Sequence, residues 1–369
     1  MMRGDDISST ASVPTAEIYA EMQQSFRYLA ANGIKKSVLD EFESFLTHPG
    51  TLSRPSLIVR CQIANCHFDI KVVVDKRTSQ RSLRLTKCFV PFLRRVLPTC
   101  RGRSDFFLLL SDNLYVSEDK RSECLEYFKR IPFLRCDRSD IDQLSMCSIL
   151  IPDFFIQDGR YADELIAIEE AVRSHPFEKR REVIKWRGSL HWSEYPNLEN
   201  YRRFPRYTLL MMSVKYPDII DARLTNYDFR GNESGPALRK RLEEEFGRPA
   251  RSLPAASFVP YKYLISVEGA AAGWKRVATI LASGSVLLLH HRWNQFFYPG
   301  LKPWVHYVPV KYDVSDTIER HKWLIAHPSQ ARRIAENGLH FAREILYPKA
   351  LERYFAEVVN KCSELYAQC

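Results

Sequence analysis

The sequence predicts an α/β protein built from two domains, and three observations lead to this fold class. The chain has 369 residues, which is about the length of two domains of ordinary size. Its composition, 45% hydrophobic and 27% charged, is that of a globular protein. Short apolar runs that suit buried strands alternate with helical patterns through both halves of the chain, which is the order typical of α/β folds.

The N-terminal half is predicted to begin with helices and to continue with alternating strands and helices. Residues 1–14 are expected to be disordered, and the apolar spacing over 16–45 is helical. LIVRCQIANCHFDIKVVVD predicts two strands around a turn, and LTKCFVPFLRRVL predicts a helix with a proline interruption. Three later runs each predict a short buried strand followed by polar residues: SDFFLLLSDN, PFLRCDR and SILIPDFF.

The C-terminal half repeats this alternation after a helix that ends before Pro176. The predicted strands are VIKWRGSL, DIIDARL, YKYLISV, SVLLLHH and HYVPV. The helical segments among and after them are YRRFPRYTLLMMSVKY, ALRKRLEEEF, VATILASGS, DTIERHKWLIAH, SQARRIAENGLHFAREIL and KALERYFAEVVNKC. We therefore predict an N-terminal domain over 1–180, a C-terminal domain over 181–345, and a helix over 346–369 that packs back on the N-terminal domain.

The charge of the chain favours anionic partners. The formal net charge is +10, which suits nucleotides or an acidic membrane surface. The basic residues are dispersed and form no nucleic-acid-binding motif, so nucleic acid is not an expected partner. No apolar run reaches the roughly 18 residues that span a membrane. The N-terminal residues lack the apolar core of a secretory signal, so a cytoplasmic protein is expected.

Three predicted strand ends carry polar groups suited to ligand binding, and in open α/β sheets ligands bind outside the carboxyl ends of the strands. These ends are 111–113 after FFLLL, 187–189 after VIKW and 268–276 after YLISV. In the second, Arg187 offers a cation, Gly188 a close approach to the backbone and Ser189 a hydroxyl; an exposed strand end is the alternative. In the first, Asp112 is a candidate general base, or equally an ordinary loop acid.

The loop over 268–276 has the composition of a phosphate-binding turn. Its small residues would let a ligand approach the backbone, and the helix that follows offers free N–H groups to a phosphate. Lys275 or Arg276 would add a full positive charge, and arginine can bind phosphate through two bonds. The loop matches neither a dinucleotide-binding glycine pattern nor a P-loop, so an ordinary strand-to-helix turn is the alternative. The small residues are Gly269, Ala271, Ala272 and Gly273.

Four longer segments of the chain are distinctive: WRGSL, YKYLISVEGAAAGWKR, ILASGSVLL and the long, aromatic-rich WNQFFYPGLKPWVHYVPV. With these segments the chain resembles glycosyltransferase family 90, which includes Rumi-type protein O-glucosyltransferases, capsule-associated xylosyltransferases and bacterial lipopolysaccharide glycosyltransferases. The resemblance extends from Trp186 to about Ile345 and continues more weakly upstream through SDFFLLLSDN and SILIPDFF.

The resemblance implies a GT-B fold, in which two Rossmann-like domains face each other across a cleft. It implies a UDP-sugar donor, no bound metal and no other cofactor. It also implies inversion at the anomeric carbon, which needs a base to remove the proton of the acceptor hydroxyl. The family's base corresponds to Asp112, and Asp153 is the second choice.

The resemblance also implies a set of donor-binding residues. The family's RGS motif corresponds to 187–189, and a later arginine best matches Arg206, with Arg202 and Arg203 as close competitors. The family's small-residue loop and its arginine correspond to 271–276.

Within that loop, Arg276 is the matched cation, Lys275 is an extra cation beside it, and Trp274 precedes both. Glu268 would either bind sugar hydroxyls or cap the loop. Without a metal, fixed arginines and helix N–H groups must stabilise the charge on the leaving diphosphate.

The acceptor is expected to be a glycolipid or oligosaccharide. Animal members of the family enter the endoplasmic reticulum and modify EGF repeats, whereas this sequence shows neither a signal peptide nor a retention tetrapeptide. An enzyme that builds lipopolysaccharide or another surface glycan, in peripheral contact with the acidic inner face of the membrane, is therefore expected. A protein O-glycosyltransferase and an inactive member that binds nucleotide or glycan are the alternatives.

Overall fold

A computed structural model describes the protein at residues 15–54, 56–75, 82–139, 142–191, 195–227, 229 and 234–367. The expected disorder of 1–14 lies outside these residues. The described residues form two compact units, each with one five-stranded sheet. The N-terminal unit takes in Pro14–Tyr161, Trp293–Gly300 and Ile345–Cys369, and the C-terminal unit takes in Ala162–Arg292 and Leu301–Glu344.

The helices and strands are numbered here in chain order. The α-helices are α1 Thr15–Ser25, α2 Arg27–Asn32, α3 Lys36–Thr47, α4 Val90–Val96, α5 Arg121–Phe128, α6 Gln143–Met146, α7 Phe154–Gln157, α8 Arg160–Ser174, α9 Pro205–Lys215, α10 Gly235–Phe246, α11 Lys275–Ala282, α12 Thr317–Ala326, α13 Pro328–Phe341 and α14 Pro348–Ala367. The strands are β1 Leu57–Ala64, β2 His67–Asp75, β3 Ser104–Leu109, β4 Phe133–Arg135, β5 Arg138–Ser139, β6 Ile149–Leu150, β7 Arg181–Gly188, β8 Ile220–Leu224, β9 Tyr261–Val267, β10 Val286–His290, β11 Trp293–Asn294 and β12 Val308–Pro309.

The sheet of the N-terminal unit has the order β2-β1-β3-β4-β6 and is mixed. β1 runs antiparallel to β2 and β3, whereas β3, β4 and β6 are parallel. The first two strands form the hairpin that the sequence predicts, and their two-residue turn places Asn65 and Cys66 at positive φ of 53° and 58°. Such a turn suits the twist of a hairpin, and it makes the edge of this sheet antiparallel.

The C-terminal helix packs against strands from the first half of the chain, within the N-terminal unit. The Ser104 hydroxyl on β3 donates to the Val359 carbonyl at 2.8 Å, and the Tyr354 hydroxyl donates to the Leu150 carbonyl at 3.0 Å. The completely buried ring of Phe355 lies beside α4. In the described residues, no helix combines the length and apolar character that crossing a membrane requires.

The sheet of the C-terminal unit is parallel throughout, with the order β12-β10-β9-β7-β8. Helices supply apolar residues to its core, so β9 and β10 are almost continuously buried. The chain goes from β7 outward to β8 and then returns to β9 on the other side of β7. This reversal is a topological switch point, where doubly wound sheets bind their ligands. The predicted strand HYVPV is confirmed only at its end, as β12.

Candidate functional site

The switch point brings two of the three predicted strand ends together. Gly188 is the last residue of β7, and Val267 is the last residue of the neighbouring strand β9. The loops over 187–189 and 268–276 therefore leave the sheet side by side. Two arginine side chains, from the starts of α9 and α11, converge on this edge and share the carbonyl of Val267 as an acceptor.

The buried side chain of Arg206 links the ends of β7 and β9 through hydrogen bonds. Its side chain is buried at the first turn of α9, where the preceding Pro205 favours helix initiation. Its Nε and Nη2 donate to the Val267 carbonyl at 3.1 and 2.9 Å. Its Nη1 donates to the carbonyls of Ser189 at 2.9 Å and His191 at 3.2 Å. Arg206 therefore ties the end of β7 to the end of β9 while it brings a full charge to both.

Arg276 is held more loosely at the same place. It is the second residue of α11 and is partly exposed. Its Nη1 lies 3.5 Å from the Val267 carbonyl and its Nη2 lies 3.3 Å from the Arg187 carbonyl. These long hydrogen bonds leave the guanidinium able to exchange its backbone acceptors for those of a ligand.

The electrostatics of the pair favour an anion. The pKa of Arg206 is lowered to about 9, mainly by burial and also by nearby Arg276, while Glu268 opposes the shift. Burial also lowers the pKa of Arg276 to about 10. Both values lie above neutral pH, so the two guanidiniums stay charged. Two guanidiniums close together carry a positive charge that a bound anion would neutralise.

Other side chains of the protein occupy the space where a Cβ of Gly188 or Gly269 would lie. A Cβ at Gly188 would lie 2.6 Å from the Trp186 ring and 3.2 Å from Arg276 Nη2. A Cβ at Gly269 would lie 2.8 Å from Arg206 Nη2. The prediction that these glycines admit a ligand is thus amended, because the space beside each is taken by an arginine or a tryptophan.

The rest of the loop leads into α11 through a strained residue. Ala271 and Ala272 are buried, and a Cβ at Gly273 would meet Ser266 Oγ at 2.9 Å. Trp274 has a φ of +49°, which a bulky residue adopts only at a cost of order 1–3 kcal/mol. It supplies no side-chain cap to α11, and the backbone N–H of Arg276 at the start of that helix donates to the Gly273 carbonyl at 3.1 Å.

Glu268 makes the contact expected of a loop-capping residue. Its side chain is completely buried, and its Oε2 accepts a hydrogen bond from the backbone N–H of Arg292 at 2.5 Å. Its own backbone N–H donates to His290 Nδ1 at 3.3 Å. Burial lowers the pKa of His290 to about 4, so the ring is neutral, and its Nε2 lies 2.8 Å from the Tyr312 carbonyl. Of the two roles predicted for Glu268, the observed hydrogen bond corresponds to the cap.

Arg187 points away from this pair of arginines. Its Nη2 lies 2.8 Å from Asp221 Oδ1 on β8, and its Nη1 donates to the carbonyls of Trp186 at 2.7 Å and Asp221 at 2.9 Å. Lys185 also forms an ion pair with Asp221. Asp221 therefore partly offsets the charges of both Arg187 and Lys185, and the structure does not bring the Arg187 guanidinium to Arg206 and Arg276.

The other predicted cations are also paired elsewhere. Lys275 Nζ lies 2.6 Å from Glu164 Oε2 on α8. Arg202, a competitor of Arg206 in the sequence, lies 2.9 Å from Glu245 Oε1 and is exposed. Arg203 is exposed as well. Of the three neighbouring arginines, Arg206 is the one that reaches the switch point.

Asp112 lies in the N-terminal unit, just beyond the carboxyl end of β3. Its Oδ1 is 2.6 Å from Arg84 Nη2, and its side chain is 49% exposed. Arg84 is the first residue of a π-helix, and its Nη1 also donates to the Leu110 carbonyl at 3.0 Å. The ion pair orients the carboxylate and leaves it open to solvent, which a general base requires.

Asp153, the second candidate base, has a structural role. Its Oδ1 accepts hydrogen bonds from the backbone N–H groups of Phe155 at 2.8 Å and Ile156 at 3.3 Å, so it is the N-cap of α7. It is only 1% exposed, and Gln295 Nε2 donates to its Oδ2 at 3.3 Å. The carboxylate of Asp153 is thus buried and hydrogen-bonded, whereas that of Asp112 is about half exposed.

We therefore expect Asp153→Ala to lower the free energy of unfolding by about 1 kcal/mol or more, the usual loss for an N-cap, without abolishing sugar transfer. Urea unfolding and a transfer assay on the same preparation measure both quantities. The exposed Asp119→Ala is the matched control and should change neither. A folded Asp153→Ala protein with a hundredfold loss of transfer would make Asp153 the base.

Trp186 and Arg84 are site residues that the sequence reasoning missed. The Trp186 ring centre is 5.9 Å from the Cζ atoms of both Arg206 and Arg276, within cation–π range, and its buried Nε1 has no partner among the described residues. Strand alternation over VIKWRGSL could have placed Trp186 on the same face as Gly188. No sequence signal pairs Arg84 with Asp112, because that contact depends on the packing of the π-helix.

The described residues hold no group of three or more histidine, cysteine, aspartate or glutamate side chains arranged to bind a metal ion. The charge at the switch point comes from arginine side chains and from helix N–H groups.

Comparisons with known proteins place the chain in a family. The sequence model described as "Glycosyl transferase family 90" matches residues 150–368, which is more than half of the chain. Protein O-glucosyltransferase 3 of Rattus norvegicus is 33% identical over 162 residues, 44% of this chain and 30% of that protein. Protein O-glucosyltransferase 1 of Homo sapiens is 30% identical over 200 residues, 53% of this chain and 46% of that protein.

The chain thus spans less than half the length of these two relatives. Among solved structures, a glycosyltransferase from Rickettsia africae ESF-5 aligns with a TM-score of 0.42 at 8% identity, covering 66% of this chain and 67% of that one. The match over 150–368 includes all of the residues that converge on the switch point. The chain belongs to glycosyl transferase family 90.

Proposed function

We propose that the protein transfers a hexose or pentose from a UDP-sugar to a hydroxyl group, with inversion at the anomeric carbon. The observation that carries this proposal is the pair of guanidiniums that converge on the Val267 carbonyl at the switch point, the buried Arg206 and the partly exposed Arg276. Holding two cations close together costs free energy, and a diphosphate would offset that cost. We further propose that the two units are the halves of a GT-B fold.

In the proposed reaction the residues of the C-terminal unit act on the donor. Arg276 and the first N–H groups of α11 would bind the diphosphate and stabilise the negative charge that develops as UDP leaves. Arg206 would add a second positive charge near the diphosphate. Its hydrogen bonds to the Val267 and Ser189 carbonyls keep the two strand ends in place. The site uses arginines and needs no metal ion.

In the N-terminal unit, Asp112 would remove the proton from the acceptor hydroxyl as its oxygen attacks the anomeric carbon. The C–O bond to UDP breaks on the opposite face of the sugar, so a single displacement inverts the configuration. Arg84 would hold the carboxylate in the orientation that this transfer requires.

We propose a glycolipid or oligosaccharide acceptor of a surface glycan, for an enzyme that works in the cytoplasm against the membrane. The net charge of +10 supports an anionic, phosphate-rich acceptor surface. A protein hydroxyl is the second candidate, favoured by the names of the relatives, which are protein O-glucosyltransferases. Transfer assays with both acceptor classes, in parallel with one donor, distinguish the two.

A screen of UDP-sugars for donor hydrolysis tests the proposal as a whole. An active enzyme should hydrolyse one or two UDP-sugars slowly in the absence of acceptor and release UDP. Binding of UDP without hydrolysis of any donor would instead support the third candidate, an inactive member that binds nucleotide or glycan.

UDP should bind with equal affinity in the presence of EDTA and in the presence of Mg²⁺, because arginines rather than a metal neutralise the diphosphate in the proposed site. Isothermal titration calorimetry in the two buffers measures this. Loss of binding in EDTA that is restored by added Mg²⁺ would contradict the metal-independent mechanism.

A further inference from the structure

The N-terminal unit carries a run of exposed cations along the chain, which we call the basic stripe. It consists of Leu83, Lys87, Arg94, Arg101 and Arg103, all exposed. Between 82 and 104 the sequence has six lysines and arginines and no aspartate or glutamate. The four cations of the stripe form no salt bridge with any described residue.

The stripe follows a helical segment and the loop after it. Lys87 lies in the π-helix Arg84–Phe89, Arg94 lies in α4, and Arg101 and Arg103 lie in the loop before β3. Phe89 and Phe92 of the helical segment are buried, with ring centres 6.0 and 5.4 Å from that of Phe355 on α14. This packing fixes the helical segment against the core, while the side chains of Lys87 and Arg94 are exposed.

Three acids that contact this helical segment are paired with cations. Asp112 Oδ1 lies 2.6 Å from Arg84 Nη2. Glu352 Oε1 lies 3.0 Å from Arg95 Nε, and Lys349 lies 3.2 Å from the other carboxylate oxygen. Asp158, which contacts Cys88, forms an ion pair with Arg160 at 2.5 Å. The positive field of the stripe is therefore not cancelled by its own surroundings.

We infer that the basic stripe is the surface by which this protein docks on a membrane of acidic phospholipids. Long, exposed cationic side chains suit a layer of phosphate head groups, and each adds about a fivefold gain in membrane partitioning. Leu83, 49% exposed at one end of the stripe, offers an apolar side chain to the head-group boundary. The stripe contains none of the aromatic side chains on which nucleic-acid bases stack.

This inference rests on the proposed function in one respect: an acceptor carried by a membrane lipid requires the enzyme at a membrane surface. Membrane docking itself is measured without any sugar transfer. The two proposals can therefore fail separately.

The test is co-flotation of the full chain with vesicles, in low salt and in high salt. The vesicles are either phosphatidylcholine alone or equal parts of phosphatidylcholine and phosphatidylglycerol. We expect binding to the acidic vesicles alone, and loss of that binding in high salt. A variant with Lys87, Arg94, Arg101 and Arg103 each changed to Gln should partition roughly 600-fold less into acidic vesicles.

The matched control changes four exposed cations of the C-terminal unit to Gln and so has the same net charge: Lys215, Arg248, Arg251 and Lys322. It should lose less than a tenth as much binding, and both variants should keep the thermal midpoint and the donor hydrolysis of the parent protein. An equal loss in the two variants would show that overall charge, not the stripe, attracts the membrane.

Absence of binding to acidic vesicles would overturn the inference, as would displacement from them by an equimolar duplex oligonucleotide. Failure of donor hydrolysis in every protein, with vesicle binding intact, would overturn the proposed function instead.

Discussion

Asp112→Asn is expected to lower sugar transfer by roughly 10²–10⁴-fold, the usual contribution of a general base. The amide has nearly the shape of the carboxylate but cannot take the proton of the acceptor hydroxyl. UDP affinity should barely change, because the arginines proposed to bind the diphosphate belong to the C-terminal unit and Asp112 belongs to the N-terminal unit. Steady-state transfer and calorimetric UDP binding, measured on one preparation with a thermal melt, test both statements.

Two companion variants separate the possible causes of a loss. Asp112→Asn also breaks the ion pair with Arg84, whereas Arg84→Gln breaks the same pair and keeps the carboxylate. If the missing base is the cause, Arg84→Gln should retain much more transfer than Asp112→Asn. The exposed Asp119→Asn should behave as the parent protein.

Normal transfer by a folded Asp112→Asn protein would make Asp112 an ordinary loop acid and place the base elsewhere. A loss of both transfer and UDP binding would show that general-base catalysis and donor binding are not divided between the N-terminal and C-terminal units as proposed.

The sequence could predict the strands and loops of the site because each is encoded locally. An apolar run, a small-residue turn and an apolar helix over 261–282 specify β9 and α11 without knowledge of the rest of the fold. The parallel sheet of the C-terminal unit follows from the same alternation of strands and helices. The hairpin over 57–75 follows from a turn too short for a parallel crossover.

The partner of each cation could not be predicted, because it depends on which strands are neighbours and in what register. Arg187 lies in a motif that resembles a donor-binding segment, yet β7 and β8 pair so that Asp221 is directly opposite Lys185 and within reach of Arg187. The choice between Arg202 and Arg206 likewise depends on the start of α9. There, a tight 3₁₀ turn before Pro205 directs Arg206 inward and leaves Arg202 outside.

Asp112 and Asp153 illustrate the same limit. Both follow short apolar strands, and the sequence ranks them by resemblance alone. The structure adds a difference between them, because the first N–H groups of the four-residue helix α7 donate to Asp153. So short a helix has no periodic signal that a sequence could reveal.

Arg276→Ala is expected to reduce turnover by about 10²–10³-fold, the usual loss when one preorganised donor to the developing charge is removed. UDP affinity should fall as well, in contrast with Asp112→Asn, because the same guanidinium would hold the diphosphate before and during the reaction. Stability should change little, since Arg276 makes only two long hydrogen bonds, of 3.5 and 3.3 Å, to backbone carbonyls. Arg276→Lys should restore only part of the rate, because an ammonium cannot reproduce the planar, two-bond contact of a guanidinium.

The neighbouring residue provides the matched control for this last experiment. Lys275→Ala removes an equal charge one position earlier, from a side chain that is paired with Glu164 and not directed at Val267. It should leave turnover and UDP affinity within a few-fold of the parent values, since the contribution of a half-exposed ion pair is small. The opposite outcome, a large loss in Lys275→Ala and a near-normal rate in Arg276→Ala, would mean that the diphosphate lies on the other side of the loop. The convergence of Arg276 and Arg206 on Val267 would then serve only to hold the two strands together.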